Sequence, residues 1–217
     1  MQSPFKPLPE TLQPTCLLAP HHHQQERSRP KIFEQDNTAP FRALNRQQFT
    51  DLVSIFTWTR RVWRIDMHHT WHPNHASYDG VGCIERMDRF HREERGFDCI
   101  AQHVSIAPDG TIWTGRNWDK TPASVGFGMN EGVFMFEVIG NFDHGHDRLE
   151  GAQLASVVTV IQAVQAHFRL PVQALLFHNE VPQTEKTCPG TSIEKTDLLR
   201  RVKASRMGNA RQVAVAS

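Results

Sequence analysis

The sequence predicts an α/β fold of mixed α+β character, with a central mixed β-sheet flanked by helices in a single domain. Three observations lead there. Strand-like and helix-like segments interleave through the middle of the chain. A Pro-Asp-Gly turn inside "HVSIAPDGTIWTG" announces a hairpin. The continuous apolar run "GVFMFEVIGNF", residues 132–142, suits a central strand covered on both faces.

The elements follow in order. "RVWRIDMHHT", Arg61 to Thr70, mixes β-branched and aromatic residues and predicts a strand. Val81 to Glu94 predicts a helix, with Ile84, Met87, Asp88 and His91 at helical spacing and Gly96 as a stop. His103 to Gly115 is the hairpin, and the strand over 132–142 comes next. Leu149 to Phe168 places Leu154, Val157, Ile161, Val164 and Phe168 on one helical stripe. "VQALLFH", Val172 to His178, predicts a short strand, and Ile193 to Val202 a last helix.

The folded domain is expected over residues 46–205. Residues 1–45 are rich in Pro, Gln and Arg without apolar periodicity, which predicts a disordered tail. Residues 206–217 predict a frayed end. A chain of 217 residues is long enough for a core without disulfide staples. Its cysteines, Cys16, Cys83, Cys99 and Cys188, show no paired spacing. A net charge of +1 gives no electrostatic case for nucleic acid or an anionic membrane. No apolar run approaches the roughly 18 residues of a membrane span. The N-terminus lacks a basic start followed by an apolar core, so no secretory signal is expected and a cytoplasmic setting is the default.

Thirteen histidines raise the prior on a metal site. "HHHQQ" at His21 to Gln25 reads as a polar tail segment. Three features carry chemistry. His68-His69 ends an apolar-rich strand. Glu137 interrupts "VFMFEVI", where an ionised carboxylate must be paired or face a cleft. Met135 and Ile139 share its face by strand alternation. "FHNEVPQTEKTCPG" places His178 at a strand end with Lys186 and Cys188 in the following loop. Two histidines and a cysteine are a zinc-type donor set. A cysteine nucleophile activated by His178 uses the same residues. Residue types leave both open, with an ordinary loop as the third reading.

The order "IDMHHTW … HREERGFDCIAQHVSIAPDGTIWTGR … FEVIGNF … AQL … FHNEVPQTEKTCPG" resembles the zinc N-acetylmuramoyl-L-alanine amidases, which include phage amidases and peptidoglycan recognition proteins. The resemblance covers roughly residues 61–193. It implies a peptidoglycan-recognition/amidase-like fold, bound zinc, and peptidoglycan or muropeptides as substrate; protein partners are left unknown. It implies His68, His178 and Cys188 as metal ligands, Lys186 as stabiliser of the charged intermediate, and His69 as a wall residue. Many members carry a tyrosine where this chain has Gln102. The cytosolic amidases of the family also lack it and use a glutamate at the position of Glu137, which makes Glu137 the candidate acid–base. A non-catalytic peptidoglycan-binding module on the same fold is the alternative function, and a Cys-His hydrolase a further one. Reaching a cell wall would require release or export.

Other residues have two readings each. Trp71, Trp113 and Trp118 are expected to pack, with sugar stacking as the alternative. Arg116 is either a structural arginine or a carboxylate contact. His103 reads as a core histidine, and His144 and His146 as a solvated loop. His72 and His75 merely look metal-like.

Overall fold

Side chains alternate across a strand, and that alternation divides this protein into two faces. A computed structural model describes residues 41–204, except 127 and 183. The strands are β1 (Ala43–Leu44), β2 (Arg64–His69), β3 (Val104–Ile106), β4 (Ile112–Thr114), β5 (Val133–Val138) and β6 (Leu175–Phe177). The helices are α1 (Arg46–Ile55), α2 (Val81–Glu93), α3 (Gly151–Phe168) and α4 over 195–204. The strands form one six-stranded sheet in the order β1-β4-β3-β5-β2-β6. β1, β4 and β3 pair antiparallel, and β3, β5, β2 and β6 pair parallel. The mixed sheet is as expected: the hairpin supplies the antiparallel half and helical crossovers the parallel half.

β5 is interior and apolar on both faces, which explains its unbroken hydrophobic run. Phe134, Phe136 and Val138 join Ile65 and Met67 of β2 in the larger core. Phe49 and Val53 of α1, Val157, Ile161 and Val164 of α3, and Leu198 and Val202 of α4 close over that core. The intervening residues of β2 and β5 point to the other face. There, Cys83, Ile84 and Met87 of α2 pack against Ile100, Ala107 and Ile139.

The Pro108-Asp109-Gly110 turn joins β3 to β4. Gly110 has φ +86, and a Cβ there would stand 2.9 Å from the Ala152 carbonyl oxygen at the start of α3. Both the backbone angle and the close approach require glycine.

Ordered structure begins before residue 46. Phe41 is buried, the Arg42 N–H donates to Thr114 Oγ1 (2.9 Å), and β1 pairs with β4. The expected boundary at 45 is therefore corrected. A two-residue strand shows no periodicity and is held by its partner. α1 was not anticipated either, because its polar face dominates and only Phe49 and Val53 are buried. Its start was marked nonetheless by a capping box, Asn45 with Gln48. Val172–Ala174 form a 3-10 turn, so β6 is shorter than expected. Residues 1–40 and 205–217, with His21–Gln25 and Cys16, lie outside the described residues. Among the described residues no helix is long and apolar enough to cross a membrane.

Asn45→Ala removes the side chain that accepts from the Gln48 N–H. Chemical denaturation is expected to show a loss of about 1 kcal/mol with an unchanged slope, as for a lost helix cap.

Candidate metal centre

Strand parity and register place the central residues. Asp66 and His68 alternate with the core residues Ile65 and Met67, so they point to the face opposite α1 and α3. β2 and β5 pair with His68 opposite Glu137. The imidazole and the carboxylate are therefore neighbours on one face. His69 alternates to the other side, where its Nδ1 accepts from the Phe142 N–H (3.3 Å), and as expected of a wall residue it also lines the cleft.

β6 pairs with β2 through Met67 and Phe177, and the chain then delivers His178 beside His68. The Cys188 loop is tied to His178's own turn, because the Asn179 N–H donates to the Cys188 carbonyl (2.7 Å). Gly190 (φ +124) lets that loop lie against Phe142, whose backbone a Cβ would meet at 2.5 Å. The result brings three donors together. His68 Nδ1 lies 3.1 Å from His178 Nδ1 and 3.4 Å from Cys188 Sγ. The ligand atoms of all three residues fall within 4.8 Å of one another. Two nitrogens and a sulfur at this separation form a potential metal-coordinating cluster. The His69 backbone N–H donates to Cys188 Sγ (3.4 Å), which favours a thiolate there.

A hydrogen-bonded chain orients His68. Ser124 Oγ lies 2.7 Å from Asp66 Oδ2 and 2.8 Å from His68 Nε2. A carboxylate only accepts, so the Ser124 hydroxyl donates to Asp66 and accepts from the Nε2–H. The Nδ1 lone pair is then turned toward His178 and Cys188. Buried Asp66 is anchored in turn by both Nε (2.6 Å) and Nη2 (2.9 Å) of Arg64. Neither Ser124 nor Asp66 was anticipated. Asp66 is two residues before His68, so the same-face rule was enough to find it. Ser124 comes from a loop, and no local pattern marks it.

The electrostatics follow from burial. Burial lowers His68 well below the usual histidine range, reinforced by His178 and Lys186. Burial also lowers His178, again with Lys186 contributing. Both rings are thus neutral donors. Burial pushes the Cys188 thiol up to about 12. Burial raises Glu137 to about 7, opposed by the charge of Lys186. No described residue makes a hydrogen bond or ion pair with the Glu137 carboxylate, so it is not a structural ion pair. Lys186 is exposed and lines the same cleft of about 500 Å³ as Glu137, His68, His178 and Cys188.

The model of the family described as N-acetylmuramoyl-L-alanine amidase matches residues 58–191, more than half of the chain and all of these side chains. The chain belongs to that family. A human protein named N-acetylmuramoyl-L-alanine amidase is 28% identical over 137 residues, 62% of this chain and 23% of that protein. A pig protein of the same name is 30% identical over 132 residues, 58% of this chain and 21% of that protein. The chain thus spans less than a quarter of the length of these curated relatives. Two solved structures share the fold. The Clostridium intestinale endolysin amidase LysCS has TM-score 0.56 and 24% identity, covering 68% of this chain and 91% of its own. Drosophila PGRP-LB has TM-score 0.53 and 24% identity, covering 61% and 77%.

Within this amidase-family fold the remaining candidates separate. Gln102 is wholly buried, donates to Ser105 Oγ (2.9 Å) and does not line the cleft. Trp118 packs between Phe49 and Trp58, and the Trp113 indole donates to Tyr78 Oη (2.9 Å). Arg116 is structural, bonded to the Ile100 carbonyl and paired with Asp98. His103 is a core histidine that accepts from the Met135 N–H and stacks on Phe134. His75 bonds Gln153, while His72, His144 and His146 are exposed. Trp71 departs from the packing expectation: it is exposed and lines the cleft.

Glu137 also makes stability pH-dependent. Its folded pKa is raised from 4.5 to about 7, so between those values the native state holds a proton that the unfolded chain has released. Stability of the metal-free protein therefore falls as pH rises through that window. Glu137→Gln is expected to be neutral below it and stabilising above it, by at most roughly 3 kcal/mol. Thermal unfolding of the metal-free proteins across that range checks the sign.

Proposed function

We propose that this chain is a zinc-dependent amidase that hydrolyses the amide between N-acetylmuramic acid and L-alanine in peptidoglycan or muropeptides. One observation carries the reading: three convergent metal donors share a cleft with an unpartnered carboxylate raised to about 7. Family membership supports the substrate class.

His68, His178 and Cys188 would hold the ion, a donor set that suits zinc. When bound, zinc supplies Lewis acidity and lowers the pKa of a water to about 7. Glu137 takes a proton from the attacking water as the new bond forms at the lactyl carbonyl carbon. The Lys186 ammonium stabilises the negative charge that develops on the carbonyl oxygen. Glu137 then returns the proton to the alanine nitrogen as the C–N bond breaks. A pKa near 7 lets one carboxyl group both accept and donate at neutral pH. Ser124 and Asp66 keep the His68 lone pair directed at the ion.

A cysteine nucleophile fits less well. Reactive thiols have lowered pKa values, whereas burial raises Cys188 to about 12.

Purified protein is expected to release products with free L-alanine amino termini from peptidoglycan or soluble muropeptides, identified by mass. Chelation should abolish release and added zinc restore it. Glu137→Gln should lower kcat by at least about a hundredfold with zinc still bound. Absence of product from either substrate would favour the binding-module reading. Release that survives chelation would favour the cysteine enzyme.

Ser124→Ala leaves the His68 Nε2–H without its acceptor. Zinc affinity is expected to fall roughly ten- to a hundredfold, read by competition with a chromophoric chelator.

A further inference from the structure

Trp71 combines a disfavoured backbone angle with an exposed side chain, and the fold explains neither. Its φ is +56, a region that side chains other than glycine and asparagine seldom adopt. It sits at the centre of a tight turn in which the His72 N–H donates to the Thr70 carbonyl (2.6 Å). The residue is 60% exposed. Among the described residues it has no ring partner and no side-chain hydrogen bond. Trp63, 51% exposed, offers a contrast. Its ring occupies the space above Gly132, where a Cβ would stand 2.1 Å from it, so packing accounts for Trp63. Nothing comparable holds Trp71.

The Trp71 backbone is nevertheless fixed. Its N–H donates to the Gly140 carbonyl (3.0 Å). Thr70 Oγ1 donates to the Pro73 carbonyl and accepts from the Gly140 N–H (3.0 Å). The turn thus displays a large flat ring on the lining of the cleft that holds His68, His178, Cys188 and Glu137. Phe90 of α2, 52% exposed, lines the same cleft. Strain and exposure concentrated at such a position point to a ligand.

We propose that Trp71 is a saccharide platform, whose indole face stacks on the N-acetylated hexosamine ring beside the scissile amide. The assignment rests on the amidase reading of the cleft. A pyranose ring presents an apolar C–H face about as wide as an aromatic ring, with its polar groups at the rim. The peptide half of the substrate presents amides, which need hydrogen bonds that an indole face does not supply. The bonded turn already fixes the backbone that carries the ring, so binding does not have to order a loop. Trp71 therefore makes the protein select acyl-peptides that carry the sugar over those that carry only the lactyl group.

The test uses Trp71→Asn, because asparagine accepts a positive φ, together with Trp71→Phe. Binding is measured by calorimetry on zinc-loaded protein in a Glu137→Gln background, which suppresses turnover. The ligands are an N-acetylmuramoyl peptide and the same peptide bearing an N-lactoyl group in place of the sugar acid. Trp71→Asn is expected to keep or raise Tm and to weaken the muramoyl ligand roughly tenfold. It should leave the lactoyl ligand unchanged, and Trp71→Phe should recover most of the loss. Equal binding of the muramoyl ligand by the Asn variant and its parent would overturn the platform, as would equal weakening of both ligands. The amidase reading is judged separately by cleavage with otherwise unsubstituted protein. If cleavage fails while the Trp71-dependent preference for the sugar persists, the platform stands and the amidase reading falls.

Discussion

A strand side chain has only two faces to choose from, and β2 pairs with β5 so that His68 lies opposite Glu137. Everything chemical in the cleft is arranged around that register. On one face Ile65, Met67, Phe134 and Phe136 form the core under α1 and α3. On the other face Asp66, His68 and Glu137 stand together. A slip of one residue would exchange the two sets, burying charge in the core and exposing the apolar residues. The hydrophobic core and the candidate site are therefore specified by the same pairing.

Burial sets the protonation of the groups that this register gathers. The same low-dielectric environment keeps His68 and His178 neutral and raises both Cys188 and Glu137. Neutral imidazoles can ligate a cation. A carboxyl near neutrality can move a proton in either direction. The chain from Arg64 through Asp66 and Ser124 fixes which nitrogen of His68 carries its lone pair. The Arg64–Asp66 ion pair thereby acts on His68 through one hydroxyl.

Two tight backbone features bring the loops to the site. Gly190 admits the Cys188 loop against Phe142, where any side chain would collide. Trp71 accepts a strained angle and shows its ring to the cleft. The first is a packing requirement that glycine meets at no steric cost. The second opposes local preference, and the saccharide platform proposed for Trp71 is the use assigned to it.

Much of this was legible along the chain. Periodicity located β2, α2, the β3–β4 hairpin, β5 and α3, because each buries a regular face. Glu137 stood out as a carboxylate inside an apolar strand, and the order of motifs singled out His68, His178, Lys186 and Cys188. The short β1 and the thinly apolar α1 escaped, since their stability comes from partners distant in sequence. Alternation could not choose between His68 and His69. Only the assembled sheet shows which face is core and which is cleft. Ser124, the withdrawn Gln102 and the exposed Trp71 are likewise tertiary facts. A linear pattern records which residues share a face, whereas partner, burial and direction depend on chain segments folded against one another.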